Sequence, residues 1–347
     1  MNWSEKTILI TGGTGSLGRE FAALLLAKYR PEKIIIFSRD EMKQFEMKCQ
    51  GFDSSRVRYF IGDVRDKERL YRAFYGVDIV VHAAAMKQVP TAEYNPFEAI
   101  KTNVIGAANV IDAAIDCGVE KVIALSTDKA ANPVNLYGAT KLCSDKLFIA
   151  SNAYSGARET RMSVVRYGNV VGSRGSVIPF FLEQRKKGVL TITDKRMTRF
   201  WITLDRGARF VARCLEEMHG GEVFVPKTPS MRIWDLARLI APECQIEVKG
   251  IRPGEKLHEV MIPVDEARHT VELQDCYVIQ PDFQWWDAKN WRLGRPCEDG
   301  FEYASNTNSE WLSREAMRAM ISRLGFESHG EQCESGEGRP GVMVAAH

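Results

Sequence analysis

Ser126-Thr127-Asp128-Lys129 closes an apolar run, Val122 to Leu125, and Tyr137-Gly-Ala-Thr-Lys141 follows shortly after it. Tyr137 and Lys141 are four apart, so on a helix they share one face. A phenol beside an ammonium suits hydride chemistry at an alcohol carbon, because the cation favours the phenolate that takes the hydroxyl proton as hydride leaves. A simple dehydrogenase has no evident use for a carboxyl and an amine beside that pair. Asp128 and Lys129 therefore point to a further proton transfer on the same substrate.

The elements that must hold these groups are legible in the hydrophobic pattern. Short apolar runs at 7–10, 33–37, 57–61, 78–81 and 121–125 read as strands, and amphipathic stretches fill the gaps, clearest at 97–117. This β-then-α order predicts an α/β fold with a doubly wound, Rossmann-type parallel sheet. Past about residue 170 the rhythm loosens. Strand-like pieces at 190–193, 222–225 and 245–249 alternate with helical patterns at 204–218 and 232–240, as expected of a smaller C-terminal substrate-binding lobe. The expected division is a dinucleotide-binding domain over 1–170, to which later segments can return, and a substrate lobe over 171–326. From Glu327 the chain turns to Gly, Glu, Ser and Pro, which predicts a disordered tail over 327–347.

Gly12-Gly13-Thr14-Gly15-Ser16-Leu17-Gly18 sits directly between the first strand and the first helix. Glycines there let the backbone turn tightly and approach a pyrophosphate, whose charge rests at a helix N-terminus. Thr14, Ser16 and Leu17 line the same turn. An NAD-binding domain usually carries an acid at the end of its second strand to hold the ribose diol. Here Ser38 stands there, followed by Arg39, Asp40 and, one turn on, Lys43. That set suits a 2′-phosphate, so NADP is the expected cofactor. Asp63 and Val64 after the third strand suit an adenine contact, with a cap on the helix near Asp66 as the alternative role of Asp63. Ala83, in His82-Ala-Ala-Ala85, supplies a small side chain where a cofactor passes close.

Composition narrows the class. The 347 residues carry 47 Lys plus Arg against 45 Asp plus Glu, so no global field draws the chain to nucleic acid or an anionic membrane. The eight cysteines show no C-x-x-C spacing, and they read as reduced residues of a cytoplasmic protein. The N-terminus lacks the basic and apolar regions of a signal peptide, and no apolar run approaches the length of a membrane helix. His219 and His258 have no metal-ligand spacing, and the chemistry requires no metal.

Gly12-x-x-Gly15-x-x-Gly18 together with Tyr137-x-x-x-Lys141 resembles the extended short-chain dehydrogenase/reductase superfamily, which modifies nucleotide sugars. Within it, Ser38-Arg39-Asp40-Glu41, His82-Ala-Ala-Ala-Met-Lys87, Ser126-Thr-Asp-Lys129, Tyr167-Gly-Asn-Val170, Met197-Thr-Arg-Phe-Trp201 and Arg252-Pro-Gly-Glu-Lys256 are similar to the inverting UDP-N-acetylglucosamine 4,6-dehydratases of the pseudaminic acid pathway. The likeness runs from residue 5 to about 325, and Asn306-Thr-Asn-Ser-Glu-Trp311 strengthens it. Met86 and Gln88 stand where Leu and His are commoner.

The resemblance implies a reaction. Tyr137 takes the proton of the sugar 4-hydroxyl while carbon 4 gives up hydride, and a 4-ketone results. The carbonyl acidifies the hydrogen on carbon 5, which Lys129 removes as Asp128 protonates the departing 6-hydroxyl. Hydride returns to carbon 6, and a proton reaches carbon 5 from the opposite face. Thr127 is carried over with the catalytic group and as a substrate contact. Arg199, Arg252, Asn169 and Lys87 are carried over as diphosphate or sugar contacts, Glu255 as a ribose contact, and Val170 as a cofactor contact. A homo-oligomer is the default for this superfamily.

These roles make electrostatic demands. Lys129 acts as a base near neutral pH only if burial and neighbouring cations, with Lys141 and an oxidised nicotinamide expected to supply them, lower its pKa from about 10.4. Asp128 must hold a proton when the hydroxyl leaves, which calls for a crowded or apolar setting. Two rival readings share the cofactor: a nucleotide-sugar 4-epimerase, which has no need of Asp128-Lys129, and a retaining dehydratase, which more usually shows Glu in place of Lys129. A non-catalytic NADP-binding protein is the third, and the intact Tyr137-Lys141 pair argues against it.

Overall fold

The computed structural model describes residues 1–156, 159–173 and 175–323. Six strands, β1 (Thr7–Thr11), β2 (Lys33–Ser38), β3 (Val57–Ile61), β4 (Ile79–His82), β5 (Lys121–Thr127) and β6 (Arg161–Tyr167), form a parallel array in the order β3-β2-β1-β4-β5-β6. β1 and β4 are near-continuous apolar runs because helices cover both faces of the sheet. Alternation along β1 shows this directly. Leu9 enters one buried core with Val80, Val122 and Phe148, whereas Ile8 and Ile10 enter the opposite core with Phe21, Val81 and Val165.

From β1 the chain winds outward to β2 and β3, then crosses back to β4 on the other side of β1. That reversal opens a crevice at the carboxyl ends of the strands, where ligands of such sheets bind. Gly12 follows β1, Ser38 ends β2, and Thr127 ends β5.

The second half does not build a separate sheet alone. Val223–Pro226, expected in the smaller lobe, pairs parallel with β6, and Cys276–Ile279, Thr270–Glu272 and Arg295–Pro296 extend the same ten-stranded sheet antiparallel. Val189–Ile192 and Gln245–Val248 pair with each other instead. They cover a third core, where Phe181, Trp201, Leu236 and Met317 are buried. The helical run at 97–117 is also more particular than its pattern suggests. Pro96–Ile100 passes through a wider π turn at Lys101–Ile105 before Gly106–Asp116, and that turn carries Asn103 to the helix Leu136–Ala150.

Among the described residues no helix is long and apolar enough to cross a membrane, no disulfide forms, and no His, Cys, Asp and Glu cluster could hold a metal. The tail expected over 327–347 lies outside the described residues.

Candidate active site

Gly12 leaves β1 with a φ of +64°, and a Cβ on it would sit 2.8 Å from the amide nitrogen of Ala84. Only glycine lets this turn close on the loop after β4. A Cβ on Gly18 would meet Cα of Gly13 at 2.7 Å, so the helix Ser16–Leu24 begins pressed against the turn. No side chain caps that helix at Gly15. A helix start of this kind fits a pyrophosphate.

One groove of about 600 Å³ gathers residues far apart in sequence. Gly12, Thr14, Gly15, Ser16, Leu17, Gly18, Ser38, Arg39, Asp40, Lys43, Asp63, Val64, Ala83, Lys87, Thr127, Asp128, Lys129, Tyr137, Lys141, Asn169 and Val170 all line it. At the ribose end, the hydroxyls of Ser38 and Thr14 are 2.8 Å apart. Asp40 caps the helix Glu41–Met47 by accepting from the Lys43 amide at 3.0 Å, and its carboxylate lies 2.5 Å from Lys43 Nζ. Those contacts with Lys43 hold the Asp40 carboxyl below its ordinary pKa. This acid is thus engaged as a cap. Arg39 is 61% exposed in its side chain and lies 3.5 Å from Asp63. Asp66, not Asp63, caps the next helix by accepting from the Arg69 amide, and Asp63 is clasped by the Arg65 guanidinium.

The acid and amine lie in a single turn at Asp128–Ala130. Thr127 Oγ1 donates to Asp128 Oδ1 at 2.9 Å, and Lys129 Nζ donates to the same oxygen at 2.9 Å. A second carboxylate meets the amine, with Glu259 Oε1 3.1 Å from Nζ. The other oxygens, Asp128 Oδ2 and Glu259 Oε2, are buried with no hydrogen-bond partner. The expected electrostatics of Lys129 are therefore corrected. Burial does act to lower its pKa, but Asp128 and Glu259 outweigh burial and hold the ammonium above the ordinary lysine value.

Tyr137 and Lys141 project from the helix Leu136–Ala150 and are both buried. Burial pushes the Tyr137 phenol up to about 12, against the pull of Lys129 and a hydrogen bond with Thr127. The principal cation acting on the phenol is thus Lys129 rather than Lys141. Burial lowers the Lys141 pKa, and Asp145, one turn further along the same face, opposes that shift. Asp145 in turn accepts from Ser126 Oγ at 2.6 Å. Asn103 donates to Thr140 Oγ1 and to the Met86 carbonyl, each at 3.0 Å, fastening the loop after β4 to this helix.

A family model described as polysaccharide biosynthesis protein matches residues 8–281. The chain belongs to this family. A relative from Campylobacter jejuni, the inverting UDP-N-acetylglucosamine 4,6-dehydratase, is 55% identical over 92% of this chain and 98% of its own length. A UDP-glucose 4-epimerase from Rickettsia conorii is 44% identical over 93% of this chain and 97% of its own. Among solved structures, Pen from Bacillus thuringiensis is 36% identical with a TM-score of 0.86, over 94% of this chain and 100% of that one. DesIV from Streptomyces venezuelae, a dTDP-glucose 4,6-dehydratase crystallised with NAD and TYD, is 25% identical with a TM-score of 0.65, over 72% of this chain and 86% of that one. The fold is that of the extended short-chain dehydrogenase/reductases.

The residues expected at the diphosphate divide. Lys87 and Asn169 line the groove, and surrounding protein lowers the Lys87 pKa by desolvation. Arg199, Arg252 and Glu255 do not line it. Arg199 is 8% exposed and donates to the carbonyls of Thr198, Lys256 and Leu257, with Nε 3.6 Å from Glu259. Its guanidinium braces the loop at Lys256 and Leu257. Glu255 accepts from its own loop at the Arg252 amide and from Thr193. The loop carrying both is docked against the catalytic helix. Asn135 caps that helix through the Gly138 amide at 2.8 Å and donates to the Gly254 carbonyl at 2.8 Å.

Glu259, Asn135 and Asn103 are absent from the sequence reading. Asn135 carries a visible signal, an Asn immediately before a helical run. Glu259 and Asn103 carry none.

Proposed function

We propose that this chain is an inverting nucleotide-sugar 4,6-dehydratase that converts UDP-N-acetylglucosamine to a UDP-4-keto-6-deoxy-hexosamine with inversion at carbon 5, using tightly held NADP. The observation that carries the reading is the Asp128-Lys129 hydrogen bond of 2.9 Å in the groove that Tyr137 also lines. One acid and one base stand beside a tyrosine suited to alcohol oxidation. The 55% identity to the Campylobacter jejuni dehydratase supports the same reaction.

A bound nicotinamide would supply temporary hydride storage between carbon 4 and carbon 6. The chain's own residues move the protons. Tyr137, as the phenolate that the Lys129 ammonium and the Thr127 hydroxyl favour, accepts the proton of the 4-hydroxyl. Lys129 then passes a proton to Asp128 across their 2.9 Å hydrogen bond. As the free amine it accepts the proton on carbon 5, acidified by the 4-ketone, while Asp128 delivers its proton to the departing 6-oxygen. These two transfers leave the Lys129 ammonium paired with the Asp128 carboxylate. Lys141, whose burial Asp145 partly offsets, is assigned to the cofactor. Lys87 and Asn169 are assigned to the diphosphate or sugar. Arg252 and Glu255 join the site only if their loop moves inward.

Solved relatives hold a nicotinamide dinucleotide. The choice of NADP rests on Ser38 in place of an acid, on Arg39 beside it, and on the engagement of Asp40 as a cap. The family likeness also supports a homo-oligomer, a cytoplasmic location and a place in pseudaminic acid biosynthesis. The 4-epimerase reading has a 44% identical relative behind it but leaves Asp128 and Lys129 without work. A panel of UDP- and dTDP-hexoses separates the readings. Loss of one water from UDP-N-acetylglucosamine is expected, and formation of a 4-epimer of unchanged mass overturns the proposal.

A further inference from the structure

The mechanism uses one carboxylate beside Lys129, yet the protein builds two. Glu259 is 1% exposed, and both of its backbone polar groups are fixed by Ser305: the Glu259 amide donates to Ser305 Oγ at 2.9 Å, and the Ser305 amide donates to the Glu259 carbonyl at 2.8 Å. Ser305 Oγ lies 2.7 Å from Thr198 Oγ1, so the mount is tied to the strand Thr198–Ile202. A buried carboxylate held this firmly, with Oε2 lacking a donor, is costly to keep unless it has a task. Its nearest cation is the reacting amine at 3.1 Å, ahead of Arg199 at 3.6 Å.

We propose that Glu259 is a positioning residue for the elimination step, the fixed counter-charge against which the Lys129 ammonium forms as the carbon 5 proton arrives. This rests on the dehydratase reading. Before elimination the productive pair is a neutral Lys129 amine and a protonated Asp128; afterwards it is ammonium and carboxylate. Asp128 cannot serve as the stabilising charge at the outset, because it still holds the proton it will deliver. Glu259 faces no such conflict, since it delivers no proton in the reaction, and Arg199 Nε lies 3.6 Å from the same oxygen that meets Lys129. The negative charge is in place before positive charge returns to Nζ, so the re-formed ammonium finds its counter-charge 3.1 Å away. Glu259 does not line the groove, so it acts through Lys129 and not on the sugar.

The groups facing Lys129 are Asp128, Glu259, Arg199, Lys256 and Tyr137. Glu259→Gln removes one charge from this set while keeping the shape. The test is a ¹³Cε-lysine NMR titration of the NADP-bound enzyme, with the Lys129 signal assigned by its absence in Lys129→Arg. In the wild-type protein the signal is expected to titrate above an ordinary lysine, and in Glu259→Gln at least about one pH unit lower than in wild type. Glu259→Asp, which withdraws the charge by one methylene, is expected to fall between the two. In turnover, Glu259→Gln is expected to move the alkaline rise of the kcat–pH profile to lower pH by the same interval as the titration, because the free amine then forms at lower pH. An unmoved profile overturns the proposal. A wild-type signal at or below the ordinary lysine value, or the same titration in both variants as in wild type, overturns the proposal. The titration needs no substrate, so failure of the dehydratase reading shows up separately, as an absence of water loss from UDP-N-acetylglucosamine.

Discussion

Gly138 lies directly under the carbonyl oxygen of Lys129: a Cβ on Gly138 would stand 2.1 Å from that oxygen. The catalytic helix and the Asp128–Ala130 turn can touch only because the residue after Tyr137 has no side chain. That contact sets the spacing between the phenol and the acid-base pair. Gly138→Ala must push the helix away, and displacements of this size at a reacting centre cost about a hundredfold in rate. We expect kcat to fall by that order while NADP binding, measured by fluorescence titration, stays close to wild type.

Removing the amine takes away the elimination base and the principal cation beside the Tyr137 phenol together. Lys129→Ala keeps Lys141 and the glycine turn, so NADP still binds, but the proton on carbon 5 has no acceptor. Product formation followed by mass spectrometry is expected to fall by at least about a thousandfold. Near-normal formation of the dehydrated sugar by this variant contradicts the assignment of the base.

Cofactor choice has its own test. Ser38→Asp puts a carboxylate in place of the hydroxyl that now lies 2.8 Å from Thr14 Oγ1. It should repel a 2′-phosphate and favour a diol. NADP affinity is expected to drop at least about tenfold with NAD affinity unchanged or improved, as read by calorimetry.

Much of this arrangement is legible in the sequence because it is local. The glycine turn, the Tyr137-Lys141 pair and the Asp128-Lys129 dipeptide each lie within one strand-turn-helix segment, and the apolar periodicity fixes which strands carry them. The parts that are not legible depend on contacts across the fold. Lys129 looks like a base depressed by cations when only its sequence neighbours are considered; Glu259, arriving from the distal lobe, reverses the sign. Arg199 looks like a phosphate ligand by residue type, and its burial against three carbonyls is a tertiary fact. Val223–Pro226 reads as part of a separate lobe because sequence order does not reveal that it pairs with β6.

His82 supplies a pH prediction. Its ring is buried, with Nδ1 2.8 Å from Thr11 Oγ1 and Nε2 without a hydrogen-bond partner. Burial, with the nearby Lys141 charge adding to it, lowers its pKa to about 3. The unfolded chain binds this proton near pH 6.5 and the folded one does not. The resulting stability is therefore complete above pH 6.5 and is lost as pH falls toward about 3. Between about pH 7.5 and about pH 5 the loss from this group is about 2 kcal/mol. His82→Gln should lose correspondingly less stability than wild type over that interval, measured by urea unfolding at both pH values.

Turnover of UDP-N-acetylglucosamine by the NADP-bound enzyme in deuterium oxide tests dehydration with inversion. The expected product is one water lighter, with a single solvent deuteron on carbon 5 in the inverted configuration, hydrogen on carbon 6 transferred from carbon 4, and no net release of reduced cofactor. A product that retains its original hydrogen on carbon 5, or a sugar of unchanged mass, contradicts it.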